Sequence, residues 1–244
     1  SMKKIILSLL IGGTVLTACE KQFQSITTDQ RDLSGKAFVR VINAAPGTSR
    51  NFVYVDNKAV TGAALAYGGF FPSTELQFAV DAGSRAITIR DTLPTTTQTA
   101  VNFTQNFIAG GYYSVFTYGI APTVTHMVVK DDYVPVTDTN ARIRFVNLIA
   151  SPTANVDIYS SKRKANLFTN IATTGVTPFI TYESVPTGGV TDTLFVRPTG
   201  TTTNLTQLNG LIARRQRYVT VLFRGAYATT SGANARTLTA YSGF

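Results

Sequence analysis

Three kinds of residue in this chain could do chemistry: one histidine, 13 carboxylates and two short basic runs. Histidine is the usual general base, and His126 stands in Val124-Thr125-His126-Met127-Val128-Val129, a run that alternates as a strand does. A zinc site needs about three or four His, Cys or carboxylate ligands. With one His and one Cys in the chain no such set is expected, and His126 reads as a sheet-face residue. A glycosidase needs two carboxylates converging across a cleft. Past residue 18 the glutamates are Glu20, Glu75 and Glu183, and neither Glu75 nor Glu183 recurs at a matching place, so solvated positions are expected for both. Asp131, Asp132 and Asp138 could gather round calcium, but they lack the Asp-x-Asp-x-Asp-Gly spacing of a dedicated loop and read as a solvated linker. There is no Gly-x-Ser-x-Gly elbow and no Gly-Lys-Ser/Thr phosphate loop. The pairs Gly68-Gly69, Gly110-Gly111 and Gly188-Gly189 suit turns. No catalytic residue, cofactor or metal site is expected.

The basic runs are Lys162-Arg163-Lys164 and Arg214, Arg215 and Arg217 around Gln216. Clustered cations suit an anionic surface such as lipid phosphate or acidic glycan. They equally suit hairpin tips kept soluble by charge, and both readings stand at this level.

The one thiol is Cys19, and its surroundings give it a chemistry. Lys3 and Lys4 precede an apolar run from Ile5 to Val15, followed by Leu16-Thr17-Ala18-Cys19. A cationic start, a short apolar core and small residues before a cut site describe a secretory signal over 1–18. The run falls well short of the ~20 residues that span a bilayer. The tetrapeptide resembles the bacterial lipobox, which implies that Cys19 is lipidated and becomes the first mature residue. Ser1, ahead of Met2, reads as a cloning remnant. Cleavage removes two lysines and lowers the formal charge from +9 to +7. With no second cysteine, stability must come from packing. Only 14% of residues are charged against 44% apolar, which favours a folded core over disorder. Export also makes nucleic acid an unsuitable partner for the basic runs.

The elements that position these residues come in two sets. Ala37-Phe38-Val39-Arg40-Val41-Ile42-Asn43 matches Ala141-Arg142-Ile143-Arg144-Phe145-Val146-Asn147, 104 residues on, and each is followed by a proline turn at Pro46 and Pro152. Tyr54 matches Tyr159; Gly83–Arg90 matches Gly188–Arg197; Tyr113-Ser114-Val115-Phe116 matches Tyr218-Val219-Thr220-Val221. The offset drifts only from 104 to 107, which confines length changes to loops and predicts two tandem copies of one domain. Aliphatics alternating with Arg40 and Arg144 have the period of a half-buried strand. The Tyr112–Tyr118 and Tyr218–Phe223 runs are apolar on both faces and suit central strands. Asp56-Asn57 suits a tight hairpin.

Strand-like runs recur about every 8–12 residues with turn residues between them. The predicted fold is all-β: two tandem antiparallel β-sandwiches, immunoglobulin-like or transthyretin-like, over 37–136 and 137–244. Residues 19–36 read as the lipidated N-terminus and tether, and Lys130–Asn140 as a polar linker. Tyr113 and Tyr218 match the tyrosine corner of sandwich folds, whose hydroxyl caps nearby backbone.

The opening strand, its Asn and Pro turn, and Val156-Asp157-Ile158-Tyr159 resemble the bacterial family catalogued as domain of unknown function 4397. The first copy departs from the motif, with Phe52 where Asp157 stands. The resemblance covers about 37–244 and implies signal-bearing, lipobox-bearing proteins with one or two β-sandwich copies; it brings no site residues. The expectation is a non-enzymatic cell-envelope lipoprotein, held to a membrane by lipid on Cys19 and facing the periplasm or the surface. Its sandwiches would serve adhesion, glycan binding or assembly with envelope proteins. A fimbria-like subunit donating a strand, with Arg236–Tyr241 as the segment to watch, and a carboxylate hydrolase are the alternatives.

Overall fold

A computed structural model describes residues 32–72, 76–186 and 189–243. Gly35–Phe244 forms one compact unit, and its described residues contain strands and no helix. The first nine strands are β1 (Lys36–Asn43), β2 (Asn51–Val55), β3 (Lys58–Ala59), β4 (Phe70–Phe71), β5 (Phe78–Asp81), β6 (Gly83–Asp91), β7 (Val101–Phe107), β8 (Tyr112–Ile120) and β9 (Thr123–Asp131). They make a sheet in the order β4-β1-β8-β9, with β5 also on β1, and a second sheet β3-β2-β6-β7. The remaining strands are β10 (Ala141–Asn147), β11 (Val156–Ser160), β12 (Ala165–Ile171), β13 (Ile180–Tyr182), β14 (Asp192–Pro198), β15 (Thr206–Leu211), β16 (Tyr218–Arg224) and β17 (Thr237–Ser242). Their sheets run β13-β10-β16-β17 and β12-β11-β14-β15.

Registers in the two sets correspond. Val39 faces Tyr113 as Ile143 faces Val219, and Val53 faces Ile89 as Ile158 faces Val196. Both β1–β8 and β10–β16 are parallel. This departs from the purely antiparallel expectation, because alternation along one strand carries no information about the direction of its partner. As expected, Asp56 and Asn57 turn the β2–β3 hairpin with φ of +48° and +63°.

Each sandwich has its own core. Ala37, Val39, Val41, Val53, Ile89 and Val115 fill the first. Ala141, Ile143, Phe145, Ile158, Val196 and Val221 fill the second. A third apolar layer lies between the sandwiches, where Ile42 and Phe116 meet Val146, Leu148 and Leu222. The β1–β8–β9 and β10–β16–β17 sheets are therefore covered on both faces. Burying such a side chain contributes roughly 1.5–3 kcal/mol, so this layer fastens the sandwiches firmly together.

Arg40 and Arg144 lie on that shared face and are each only 2% exposed, although strand alternation alone puts them on a solvent side. Each reaches the last strand of the other sandwich. Arg40 Nη1 donates to the Ser242 carbonyl (2.7 Å) and its guanidinium lies 5.5 Å from the Tyr241 ring centre. Arg144 Nη2 donates to Asp131 Oδ1 (2.6 Å), its Nε to Thr220 Oγ1 (3.0 Å), and it packs over Phe179 at 4.6 Å. Ser114 Oγ completes the Asp131 carboxylate at 2.8 Å. Burial works against the Arg144 charge, but Asp131 outweighs it and raises the guanidinium pKa.

The linker is latched to this junction. Tyr133 packs against Tyr112 and Tyr218 at 5.4 and 4.9 Å. Tyr113 behaves as a tyrosine corner, accepting from the Ile108 amide at 3.0 Å. Tyr218 does not, because its hydroxyl donates to the Val134 carbonyl (2.6 Å) and accepts from the Val134 amide (2.9 Å), clamping the linker instead of its own corner.

Two outcomes are expected. Tyr218→Phe strands both Val134 backbone groups and lowers stability by about 1–3 kcal/mol, read as a lower melting temperature. Asp131→Asn or Arg144→Met alone leaves an uncompensated buried partner and costs about 3–5 kcal/mol, while the double variant costs less. Denaturant unfolding of the three proteins checks this.

Candidate functional site

The six cations of the basic runs occupy two turns, one joining β11 to β12 and the other joining β15 to β16. Pairing brings the turns together. Ser160, at the end of β11, faces Leu194 near the start of β14, and Asp192 faces Leu211 at the end of β15. In the neighbouring sheet the start of β10 faces the start of β16 through Arg142 and Tyr218. Both turns therefore emerge at one end of the second sandwich.

Asp192 builds the first turn from beneath. It is buried, and its carboxylate accepts from Ser160 Oγ, from Tyr182 Oη (2.5 Å), from Ser161 Oγ (3.1 Å) and from the Lys162 amide (2.9 Å). Burial alone pushes its pKa up, but these donors outweigh it and hold the carboxyl below the ordinary value. Burial, then the bond to Asp192, pushes the Tyr182 phenol up. Lys164 and Gln216 close the two turns with φ of +54° and +58°. The second turn is pinned where the Gln216 amide donates to the Asn140 carbonyl (2.9 Å).

Beside the turns lie residues 183–186 and 189–191, with the Val185 amide donating to the Ala213 carbonyl (2.8 Å). Against them an open groove of about 950 Å³ is lined by Thr139, Ser184, Pro186, Ile212, Arg214 and Arg215. Lys162 pairs with the exposed Glu183 at 3.0 Å, and Arg163 stacks over the Tyr182 ring at 4.7 Å. Lys164, Arg214, Arg215 and Arg217 are exposed, and none is in an ion pair among the described residues. The end carries surplus positive charge beside an apolar-lipped groove. It can hold an anion; among the described residues the carboxylates beside the first turn are Asp192, spent on the turn's own donors, and Glu183, engaged by Lys162.

Other candidates fall elsewhere. His126, in β9, stacks on Phe103 with ring centres 3.8 Å apart, and partial burial lowers its pKa. Asp131 is not part of a solvated linker, being spent on Arg144, and Asp138 pairs with Arg142 at 2.9 Å. No group of three or more metal-ligating side chains occurs among the described residues. Cys19, Glu20, Glu75 and Gly188 lie outside the described residues. Asp157 of the Val-Asp-Ile-Tyr motif is a loop anchor, accepting from the Asn170 amide (2.8 Å), Thr199 Oγ1 (3.0 Å) and the Gly200 amide (3.2 Å). Asp192 is the residue that sequence reasoning passed over. Its only local signal is a carboxylate just ahead of an alternating run, and its donors come from two distant segments.

A family profile described as Domain of unknown function (DUF4397) matches residues 37–159, which span β1 through the Tyr159 of β11. No curated protein matches the chain.

Asp192→Asn is expected to lower stability by about 1–3 kcal/mol, because an amide cannot satisfy the same set of donors. A carboxyl held below its unfolded pKa contributes stability above that pKa and loses it as pH falls through the folded value. The parent should thus lose stability as pH drops below 3.8, and the variant should lose less over that range. Melting curves across acidic pH test both points.

Proposed function

The chain belongs to the DUF4397 family, and on that footing we propose that it is a non-enzymatic lipoprotein of the bacterial cell envelope, built from two copies of the family domain. In this reading residues 1–18 are a cleaved signal, lipid on Cys19 holds the protein to a membrane, and the basic end of the second sandwich meets an anionic envelope partner. The observation that carries the binding role is the convergence of Lys162, Arg163, Lys164, Arg214, Arg215 and Arg217 from two turns some 50 residues apart in sequence onto one end, with Arg214 and Arg215 lining a groove there. Corresponding strand registers support the two copies.

The absence of a catalytic constellation in the sequence favours binding over turnover. A fimbria-like subunit needs a strand to donate, and the segment suited to that role, β17, pairs with β16 from Val219↔Ser242 to Arg224↔Thr237. That leaves the fimbrial alternative without its donor. The hydrolase alternative loses Glu183 to Lys162.

Mass spectrometry of the N-terminal peptide should find Cys19 acylated, and a chain secreted from residue 20 onward should be washed from the membrane fraction by high salt while the native protein stays. An unmodified Cys19, or native protein that salt removes from the membrane, would overturn the anchoring half of the proposal. Protease shaving of intact cells then reports which side the sandwiches face.

A further inference from the structure

The same end that carries the cations also carries protruding aliphatic side chains. Ile108, Val134, Val190 and Ile212 are 56%, 63%, 77% and 54% exposed. Each sits at a strand terminus on this side of the molecule. Ile108 precedes β8, where the Gly110 amide donates to the Lys36 carbonyl. Val134 is held by Tyr218, the first residue of β16. Val190 comes just before β14, and Ile212 just after β15. The two sandwiches present this end together, since Tyr133 joins the first residues of β8 and β16. Among the described residues Leu93 and Ile120, at 41% and 37%, mark the opposite end, and Leu33 and Leu76, at 47% and 64%, are exposed as well.

Exposed aliphatics at loop tips have no folding advantage, and apolar patches rimmed by polar residues mark interaction sites. Cations interleaved with aliphatics match a bilayer interface, where headgroup phosphates take the charge and the acyl boundary takes the apolar tips. At this end the first sandwich pairs Lys36 with Asp81 and Arg85 with Asp56, and leaves Lys58 and Lys130 in no ion pair among the described residues. The second sandwich carries the larger such set, Arg163, Lys164, Arg214, Arg215 and Arg217, on the end that bears Val190 and Ile212.

Chain connectivity points the same way. Lys36 starts β1 at this end, and sixteen residue steps lead from Cys19 to Gly35. At ~3.3–3.6 Å per residue they cannot span more than about 58 Å.

We propose that this end docks onto a bilayer bearing anionic phospholipids, with Val190 and Ile212 entering the interface and the cations of the two turns contacting phosphate. The inference rests on the reading of the basic end as the contact site for an anionic partner, and it names that partner as a membrane.

The chain has no tryptophan, so Ile212→Trp, Val190→Trp and, at the far end, Leu93→Trp each install a single fluorescent reporter. All three are made in the mature chain from residue 19 carrying Cys19→Ser, so neither lipid nor the apolar signal plays a part in the readout. Vesicles of phosphatidylcholine, alone or mixed with phosphatidylglycerol, are the probe. The expected result is a blue shift for Ile212→Trp and Val190→Trp on the mixed vesicles, reversed by salt, with no shift for Leu93→Trp. Adding Arg214→Ala and Arg215→Ala to the Ile212→Trp chain should weaken partitioning roughly thirtyfold with an unchanged melting temperature. The proposal is overturned if no reporter shifts, if all three shift alike, or if Ile212→Trp responds to a soluble anionic polysaccharide and not to vesicles. An unacylated Cys19 in the native protein would remove the anchor and leave this result standing.

Discussion

Two arginines at matching strand positions, buried between two sheets, set the terms for the rest of this molecule. Arg40 and Arg144 cannot be hydrated where they lie, so each must find acceptors, and each takes one from its own sandwich and one from the facing sandwich. Arg144 has a carboxylate, Asp131; Arg40 has backbone carbonyls, those of Ser242 and Leu76. The arrangement fixes how the inner sheets register against each other, because sliding either one would strand a buried guanidinium. Apolar packing by Ile42, Phe116, Val146 and Leu222 supplies most of the adhesion. The ionic contacts supply the direction.

That fixed registry is what makes a shared end meaningful. Two loosely tethered sandwiches would present their loops independently. Here β8 and β16 start side by side across Tyr133, so loops from both sandwiches point the same way. The two sandwiches differ at that end. In the first, Asp56 accepts from Arg85 and the Ala86 amide, which closes the hairpin and neutralises its charge. In the second, the supporting carboxylate is Asp192, which sits beneath the turn and leaves Lys164 and its neighbours unneutralised above it. The same architectural need is met with opposite surface consequences.

Strand content and the correspondence between Ala37–Asn43 and Ala141–Asn147 were readable from the chain because period and repeat are local properties. The two faces of β8 and β16 were readable for the same reason. Arg40 and Arg144 were misplaced, since a charged residue alternating with aliphatics looks identical whether its face meets water or another sheet. The parallel pairing of β1 with β8 and the clamp of Tyr218 on Val134 depend on partners 74 and 84 residues away, for which neither residue carries a local mark. The basic runs were visible as charge. Their meeting at one end was not, because it follows from the order β12-β11-β14-β15 and its neighbour.

The parallel seam also bears on how the protein comes into being. Phe38 pairs with Tyr112, and Arg40 reaches Ser242, 202 residues later. Contacts of such separation close late and slow the search for the native state. A chain delivered N-terminus first must therefore hold β1 without its neighbour until most of the first sandwich has arrived, and hold Arg40 without its acceptor until the last strand does. Maturation is governed by the arrival of the C-terminal strand, the final piece that closes the shared interior.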